Sequence, residues 1–426
     1  MQAEQLKKII DDHLPKVAKY QSQRAQALGN NPGIIRPNPK PAPDNRVPIP
    51  LARQAVAFVV GYMGKPGNIT YQGDYYEKTL KPIFDYNDEQ LLTASELEDA
   101  CIHGACYELH WLDESGQKNF YSIPVEQGIP IYDNGIRPKL SGFVWYRTVN
   151  EIEIATLYTD ATYQEFVRQK DWIAGEELPH GYGKVPVNVG FIDRDGRNLF
   201  DHVIPIMDSI DKLASADVMN EADRYSSALL AMAERLDTTT TDELGRTMVD
   251  RLKELRLIDG LGEGDVKGKI AFITKDLPVD FIKFAIEFLE RMARESLQIP
   301  NMMDHKFGES SGIAKAFQLL PLEYLCARIE AYFSRFLYNR IYLIAGISSK
   351  LLESADGVHE VQISFKRNLP YDLVEIAGVV GQLKGIVSDE TLMKLFPAQV
   401  VPDVEEELER MGMDKPSLLD EAGQGE

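Results

Sequence analysis

Residues 277–342 read LPVDFIKFAIEFLERMARESLQIPNMMDHKFGESSGIAKAFQLLPLEYLCARIEAYFSRFLYNRIY, which is two helices joined by a loop that carries glycine and serine. Between Asp280 and Leu297 the apolar residues Phe281, Ala285, Phe288 and Met292 recur at helical spacing, and Ile282, Ile286, Leu289, Ala293 and Leu297 form a second row beside them. The first helix therefore has a wide apolar face. On its other side Lys283 and Glu287, Glu287 and Arg291, and Glu290 and Arg294 stand four apart, a spacing that supports a helix. Pro300 ends it, Asn301 to Ser311 connect, and Gly312, Ile313 and Ala314 open the second helix. That helix carries Leu319, Leu322, Leu325, Ile329, Phe333, Phe336, Leu337 and Ile341, with Pro321 inside it. A proline there removes one backbone hydrogen bond and predicts a kink over Phe317 to Pro321.

Pro300, Asp304, Phe307-Gly308, Ser311-Gly312 and Leu322-Glu323 together resemble the loop-and-helix signature of portal proteins from long-tailed, siphovirus-type bacteriophages. The resemblance implies a ring of about twelve subunits, with the loop projecting into a central channel and the long helix crossing the ring. Asn301, His305, Lys306, Phe307, Ser310 and Ser311 would then face DNA, with Lys306 the foremost candidate for a backbone contact.

Composition bounds the alternatives. A chain of 426 residues that is 44% hydrophobic holds several domains with cores of their own. Its formal charge of −20 argues against a surface that wraps nucleic acid through its phosphates, because that binding runs on Lys and Arg releasing counterions. Cys101, Cys106 and Cys326 make no disulfide framework and suit a reducing compartment. No run approaches the roughly 18 apolar residues of a membrane span, and MQAEQLKK has no signal-peptide core. The expectation is an intracellular protein with no membrane partner.

Outward from the central stretch, residues 3 to 28 have helical spacing but many charges, a surface or partner-contacting helix. Prolines at 32, 37, 39, 41, 43, 48 and 50 make Asn31 to Pro50 an extended segment, either an interdomain linker or an arm that reaches a neighbour. An apolar helix from Ile49 to Met63 leads into Gly64-Lys65-Pro66-Gly67. This is no phosphate loop, since Pro66 stands where a Ser or Thr would meet magnesium. DNRVPIPLARQAVAFVVGYMGKP, residues 44–66, also resembles a portal-family segment.

From Thr70 to Val189 the texture is short alternating runs at Ala105 to Trp111, Lys118 to Ile123, Ile129 to Tyr132, Leu140 to Tyr146 and Glu151 to Tyr158. Turn signals at Asp113 to Gly116 and Asp133 to Gly135 separate them, and a helix at Thr93 to Ile102 precedes them. Cys101, His103, Cys106 and His110 are zinc-ligand types at no finger or ribbon spacing, and alternation sends Cys106 and His110 to one strand face with Tyr107 and Leu109 on the other. They read as packed cysteines and ordinary polar histidines, so no metal is expected.

A long helix is expected from Asn198 to Met232, with an acidic side of Asp208, Asp211, Asp217 and Glu221. That side is either a solvated face or, repeated around a ring, a wall that keeps DNA from sticking. Residues 234–275 hold Thr238 to Thr241 capping a helix at Asp242 to Arg256, glycines at 260, 262 and 264, and a strand at Lys269 to Thr274. A small module between two long helices requires those helices to run side by side. Val361 to Phe365 is strand-like, Lys366 to Pro370 resembles a second family segment, helices follow at Leu373 to Leu383 and Ser388 to Leu395, and an acidic tail closes the chain.

The fold class expected is α+β, mostly helical. In portal terms it comprises an N-terminal helix and arm (1–47), an α+β wing (48–196), a two-helix stem (197–233 and 277–299), a small α/β clip (234–276), the tunnel loop (300–313), a long kinked wing helix (314–348) and a helical crown with its tail (349–426). The resemblance implies a conduit for DNA packaging and ejection in the virion, assembled in the host cytoplasm. Its implied partners are the terminase large subunit, a head–tail connector, the major capsid and scaffold proteins, and double-stranded DNA that passes without sequence reading. No G-x-S-x-G elbow, HExxH, Walker A loop or dinucleotide fingerprint occurs, so no catalytic residue and no cofactor is expected. The competing readings are an intracellular α+β enzyme with an unrecognised site and another phage head adaptor or scaffold.

Overall fold

The computed structural model describes residues 2–34, 45–220, 230–232, 269–271, 279–301, 312–351, 355–367, 373–396, 400–401 and 404–413. The chain divides into two compact units, Met1–Asn301 with Pro321–Lys366 and Met302–Leu320 with Arg367–Glu426. It is a mixed α+β protein, mostly helical, as its sequence predicts.

The first unit opens on α1 (Ala3–Ala27). Gly29 ends it at φ +87°, with the Asn30 N–H on the Ala25 carbonyl at 2.8 Å and the Gly29 N–H on Gln26 at 3.0 Å. This paired closure through a left-handed residue satisfies carbonyls the helix leaves open. α2 (Leu51–Val59) continues as a π-helical turn over Val60–Gly64, so the apolar stretch from 49 to 63 is helical nearly throughout. β1 (Ile69–Gln72), α3 (Lys81–Tyr86) and α4 (Glu89–His103) follow.

Strands β2 (Ala105–Leu112), β3 (Lys118–Ile123), β4 (Gly128–Tyr132), β5 (Leu140–Val149) and β6 (Ile152–Tyr158) fall on the five alternating runs. β7 (Thr162–Arg168), β8 (Trp172–Pro179) and β9 (Val187–Phe191) lie outside them. The reason for β8 is plain: only Trp172 of its residues is buried, so an edge strand carries no inward-facing row to read. β4 to β8 form an antiparallel meander in chain order, and β3-β2-β9 form a separate antiparallel sheet.

Alternation along these strands stacks the unit in layers. One face of the meander puts Val144, Ala155, Leu157, Phe166 and Trp172 under Leu6 and Ile10 of α1. Its other face meets Tyr107, Leu109, Ile123 and Val187 of the second sheet through Phe143, with Trp145 and Tyr158 beside it. The outer face of that second sheet carries Cys106, Glu108, His110, Phe120 and Asn188 against α4 and a long helix yet to come. At the α4–β2 corner Gly104 has φ +84°, and a Cβ there would lie 2.2 Å from the Gly196 carbonyl oxygen, so no other residue fits.

α5 (Ile204–Lys212) begins later and ends earlier than the helix expected from Asn198 to Met232. Asn198 instead builds the turn before it, its Oδ1 accepting from the Phe200 and Asp201 N–H groups. A π-helical stretch over Leu213–Asn220 prolongs α5, but Leu230–Met232 is extended (β10) and pairs antiparallel with Lys269–Ala271 (β11). A short apolar run such as Leu-Ala-Met fits either period, and here pairing decides. The helix at 242–256 and the glycine turn lie outside the described residues.

α6 (Val279–Ser296) and α7 (Gly312–Lys350) are the two helices of the central stretch. α7 continues through Pro321, where the division between the units falls. From Pro321 on it packs in the first unit, and a Cβ at Gly190 of β9 would stand 2.7 Å from the Phe336 ring. β12 (Gln362–Phe365) then pairs antiparallel with β1. In the second unit α8 (Leu373–Leu383) matches its expected span, and α9 (Asp389–Met393) is capped by Ser388, whose hydroxyl accepts from the Thr391 N–H. α10 (Val404–Met413) packs on α9.

The layers meet at Arg340 of α7, which is fully buried. Its guanidinium donates to Glu108 of β2 at 2.7 Å, to Glu96 of α4 at 2.5 Å, and to Glu89 and Thr93 of α4 at 2.6 and 2.7 Å. Its plane lies 5.0 Å from the Phe120 ring and 5.5 Å from Phe336. Two of the carboxylates are held in turn: Glu89 accepts from the Tyr71 hydroxyl at 2.5 Å, and Glu108 pairs with His110 Nε2 at 2.8 Å. Burial pushes the Glu108 carboxyl up, but Arg340 and then His110 outweigh it and bring it down to about 2. Burial, then the neighbouring Glu108, push the Glu96 carboxyl well above the usual range.

The four zinc-type side chains are absorbed by this packing. Cys101 and Cys106 are buried thiols that burial pushes up, His110 sits on Glu108, and His103 lies edge-on to Tyr20 at 5.6 Å, lowered by burial to about 4. Cys106 and His110 share one face of β2, with Tyr107 and Leu109 on the other, as alternation requires.

Removing Arg340 strands buried carboxylates, so Arg340→Met loses about 3–5 kcal/mol in a urea melt. Glu108→Gln costs more than Glu96→Gln at pH 7, because Arg340 and His110 hold Glu108 down whereas burial pushes Glu96 up. The sign for pH follows from the Glu108 depression: its contribution is full above the ordinary Glu range and is lost as pH falls toward about 2. Melts of wild type and Glu108→Gln between pH 5 and 2.5, on the order of that window, converge as the pH drops.

Candidate functional site

The site implied by the sequence is the α6–α7 loop together with the helices at its root. α6 ends at Ser296 through a left-handed Gln298 at φ +56°. The Ile299 N–H returns to the Arg294 carbonyl and the Gln298 N–H to Glu295, both at 3.1 Å. Leu297, Ile299 and Pro300 are buried. The His202 ring reaches the Ser296 carbonyl at 3.0 Å, and Arg294 binds Glu290 at 2.7 Å and Gln54 at 3.1 Å. The loop therefore leaves from a fixed point. Asn301 is exposed at its start; His305, Lys306, Phe307, Ser310 and Ser311 lie outside the described residues.

α5 and α6 pack side by side, and β10 pairing with β11 closes the excursion between them. Of the α6 rows, Ala293 is buried, while Phe281, Phe284, Phe288 and Met292 are exposed. Phe284 and Phe288 stack at 5.9 Å, and Arg291 lies 5.7 Å from the Phe288 ring. Of the charged pairs read from the sequence, Lys283–Glu287 stands at 3.9 Å and Glu290–Arg294 at 2.7 Å.

The acidic side of α5 departs from its expectation. Asp211 is 2% exposed, and its carboxylate accepts from Asn31 Nδ2 at 2.6 Å and from the Ile49 N–H at 2.8 Å. Asp208 is half-buried and takes a second bond from Asn31 at 2.8 Å, and the Val47 N–H donates to Ser215 at 3.0 Å. Asp211 is therefore a clasp and no part of a solvent-facing wall. The physical reason is that the chain on either side of the proline-rich segment has backbone and amide donors to satisfy, and a buried carboxylate satisfies two. Burial pushes Asp211 up while Asn31 and Ile49 pull it down. The Asp217 side chain and Glu221 lie outside the described residues.

The family model "Phage portal protein, SPP1 Gp6-like" matches residues 6–415. The chain belongs to that portal family. A portal protein is a structural component of the capsid and not an enzyme. Among solved structures, the neck of an empty gene transfer agent particle is similar at 14% identity and TM-score 0.43, covering 82% of this chain and 90% of that one. The neck of the native particle, computed with C12 symmetry, is similar at 13% identity and TM-score 0.42, over 82% and 89%. An HK97 family phage portal protein from Corynebacterium diphtheriae is similar at 12% identity and TM-score 0.37, over 75% and 92%. No curated protein matches the chain in sequence. Among the described residues of this portal protein, no helix is long and apolar enough to cross a membrane.

Sequence reading missed the Asn31–Asp211–Ile49 clasp, although Asn30-Asn31-Pro32-Gly33 is a turn signal that marks where the proline-rich segment starts. Asp211→Ala leaves one N–H of the Asn31 amide and the Ile49 N–H without their acceptor and lowers stability by about 1–3 kcal/mol in a urea melt. Asp208→Ala, at a half-buried position with one bond, costs less than half of that.

Proposed function

We propose that the chain assembles into a closed ring of about twelve copies at one capsid vertex, through which DNA is packaged and later ejected. The observation that carries this reading is the family match across residues 6–415, which spans every element described. α5 and α6 serve as the stem, and the excursion closed by β10 and β11 serves as the clip where the terminase large subunit docks during packaging and a head–tail connector afterwards. The sheets of the first unit serve as the wing and residues 349–426 as the crown, in contact with the capsid and scaffold proteins. The ring forms in the host cytoplasm and is carried in the virion.

The electrostatics suit a conduit. With a formal charge of −20 per chain, phosphates are repelled over most of the surface, so DNA slides without being held. One loop per subunit, with Lys306 at its centre and Asn301, His305, Phe307, Ser310 and Ser311 around it, touches the passing backbone. The acidic contribution from the stem comes from Asp217 and Glu221, with Asp208 partly engaged and Asp211 removed from the set. No nucleotide motif is present, so the driving energy comes from the motor ATPase outside the ring.

Mass photometry of the purified full chain, with its scaffold partner present, tests this. About twelve copies of 48.0 kDa give roughly 0.6 MDa and annular particles in negative stain. A chain that stays monomeric in those conditions, or that turns over a small substrate, contradicts the reading and favours the enzyme alternative.

A further inference from the structure

At the β4 edge of the meander, β9 and α7 leave a cleft of about 580 Å³ that no carboxylate lines among the described residues. Four cations surround it: Arg137 and Lys139 on the β4–β5 turn, Lys184 on the loop before β9, and Arg335 on α7. Tyr132, Tyr332, Phe336 and Leu343 give it apolar walls. Among the described residues none of the four cations forms an ion pair. Asp133, the acid on the same turn, is engaged by backbone, its carboxylate accepting from the Gly135 N–H at 3.2 Å and the Lys139 N–H at 2.9 Å. Four cations gathered without a counter-charge repel one another, and they stand out in a chain with 66 acids against 46 Lys and Arg. Such a cleft suits a negatively charged guest with some apolar surface.

The opposite edge of the same sheet has that character. β8 ends the sheet, and Glu176 and Glu177 are exposed near its close. Thr162 pairs with Pro179, which sets the β6–β7 turn beside them, with Asp160 exposed on it. The turn is fixed, the Thr159 N–H and hydroxyl both donating to the Thr162 carbonyl, at 2.8 and 3.0 Å. Asp160 and Glu176 form no ion pair among the described residues, and Glu177 accepts from the Thr162 hydroxyl at 2.5 Å. Leu178, 39% exposed, adds the apolar surface. Between Gln164 and Phe166 the register shifts, so β8 carries a bulge there. A charged, bulged edge resists an added strand and offers its side chains instead.

Copies of a chain with formal charge −20 repel, so an interface between them needs a place where opposite charges face each other. The cleft and the acidic edge are such a pair. They are separated by four strand spacings, about 19 Å across the sheet, in the order β4-β5-β6-β7-β8. A copy therefore does not fill its own cleft. Both lie at one end of the meander, since β5 and β6 pair antiparallel with Phe143 opposite Tyr158. Two different patches at opposite edges make a head-to-tail contact, the kind that repeats around a ring. We propose that the basic cleft receives the β6–β7 turn and the acidic end of β8 from a second copy of this chain. The proposal rests on the ring reading for the presence of a neighbour.

The test mixes two full-length variants, Arg137→Cys and Glu176→Cys. Cys101, Cys106 and Cys326 are buried, so the added thiols are the ones that react. Mild oxidation is expected to give a mixed disulfide between the two variants, mapped to the substituted positions by peptide mass spectrometry. Its yield falls about tenfold when Lys184→Glu and Arg335→Glu are added to the first variant, because like charges then face each other. It recovers when Asp160→Lys and Glu177→Lys are added to the second. All six positions are exposed, so far-UV spectra stay native. Absence of the mixed disulfide, symmetric dimers of either variant in its place, or no recovery on the charge swap overturns the proposal. A short DNA duplex that binds the chain but not Lys184→Glu/Arg335→Glu, with no mixed disulfide formed, also overturns it and gives the cleft to phosphates. Mass photometry with the scaffold partner present reads ring assembly separately. Rings without the disulfide end the docking proposal alone, and the disulfide without rings ends the ring reading alone.

Discussion

Arg340 is the constraint on which the first unit depends. A guanidinium with no exposure to water is tolerated only if each of its donors finds an acceptor and its charge finds a partner. Glu89 and Glu96 of α4 and Glu108 of β2 supply the acceptors, and Phe120 and Phe336 supply the faces. Three carboxyls crowd one cation, and burial and the neighbouring Glu108 push the Glu96 carboxyl up. The residues joined in this way stand more than two hundred positions apart in the chain. The second sheet and α4 are therefore tied to α7, a helix that lies beyond the loop in the chain.

The same logic of buried acceptors recurs at Asp211. There a carboxylate gathers Asn31 and Ile49 and turns a proline-rich stretch into a loop with a closed base. It also fixes the start of α2 relative to α5, and so relative to α6 and the root of the α6–α7 loop, where Arg294 reaches Gln54 of α2. Carboxylates that an inventory of charge assigns to the surface thus do structural work inside.

Local rules made much of this legible. The helices α1, α2, α6, α7 and α8 and the strands β2 to β6 follow from periods and turn signals. Edge strand β8 did not show, since it has nothing buried beyond Trp172, and β10 did not, since three apolar residues have no period. The hub was invisible for another reason: Arg340 lies among polar and apolar residues of a long helix, and its partners are set by tertiary approach, not spacing. Of the candidate site, the loop's position between two helices was readable, and the burial of Asp211 was not, because a helix face that looks acidic in projection can still be covered by a distant segment.

The central claim is that α5, α6 and the loop they lead to surround a channel, with the layered sheets outside. A cryo-electron microscopy reconstruction of the assembled ring tests it most directly. The account predicts density for residues 301–311 projecting into the central hole, with Lys306 the innermost cation and the meander at the outer rim. A ring in which that loop lies on the periphery, or in which the meander lines the hole, contradicts it.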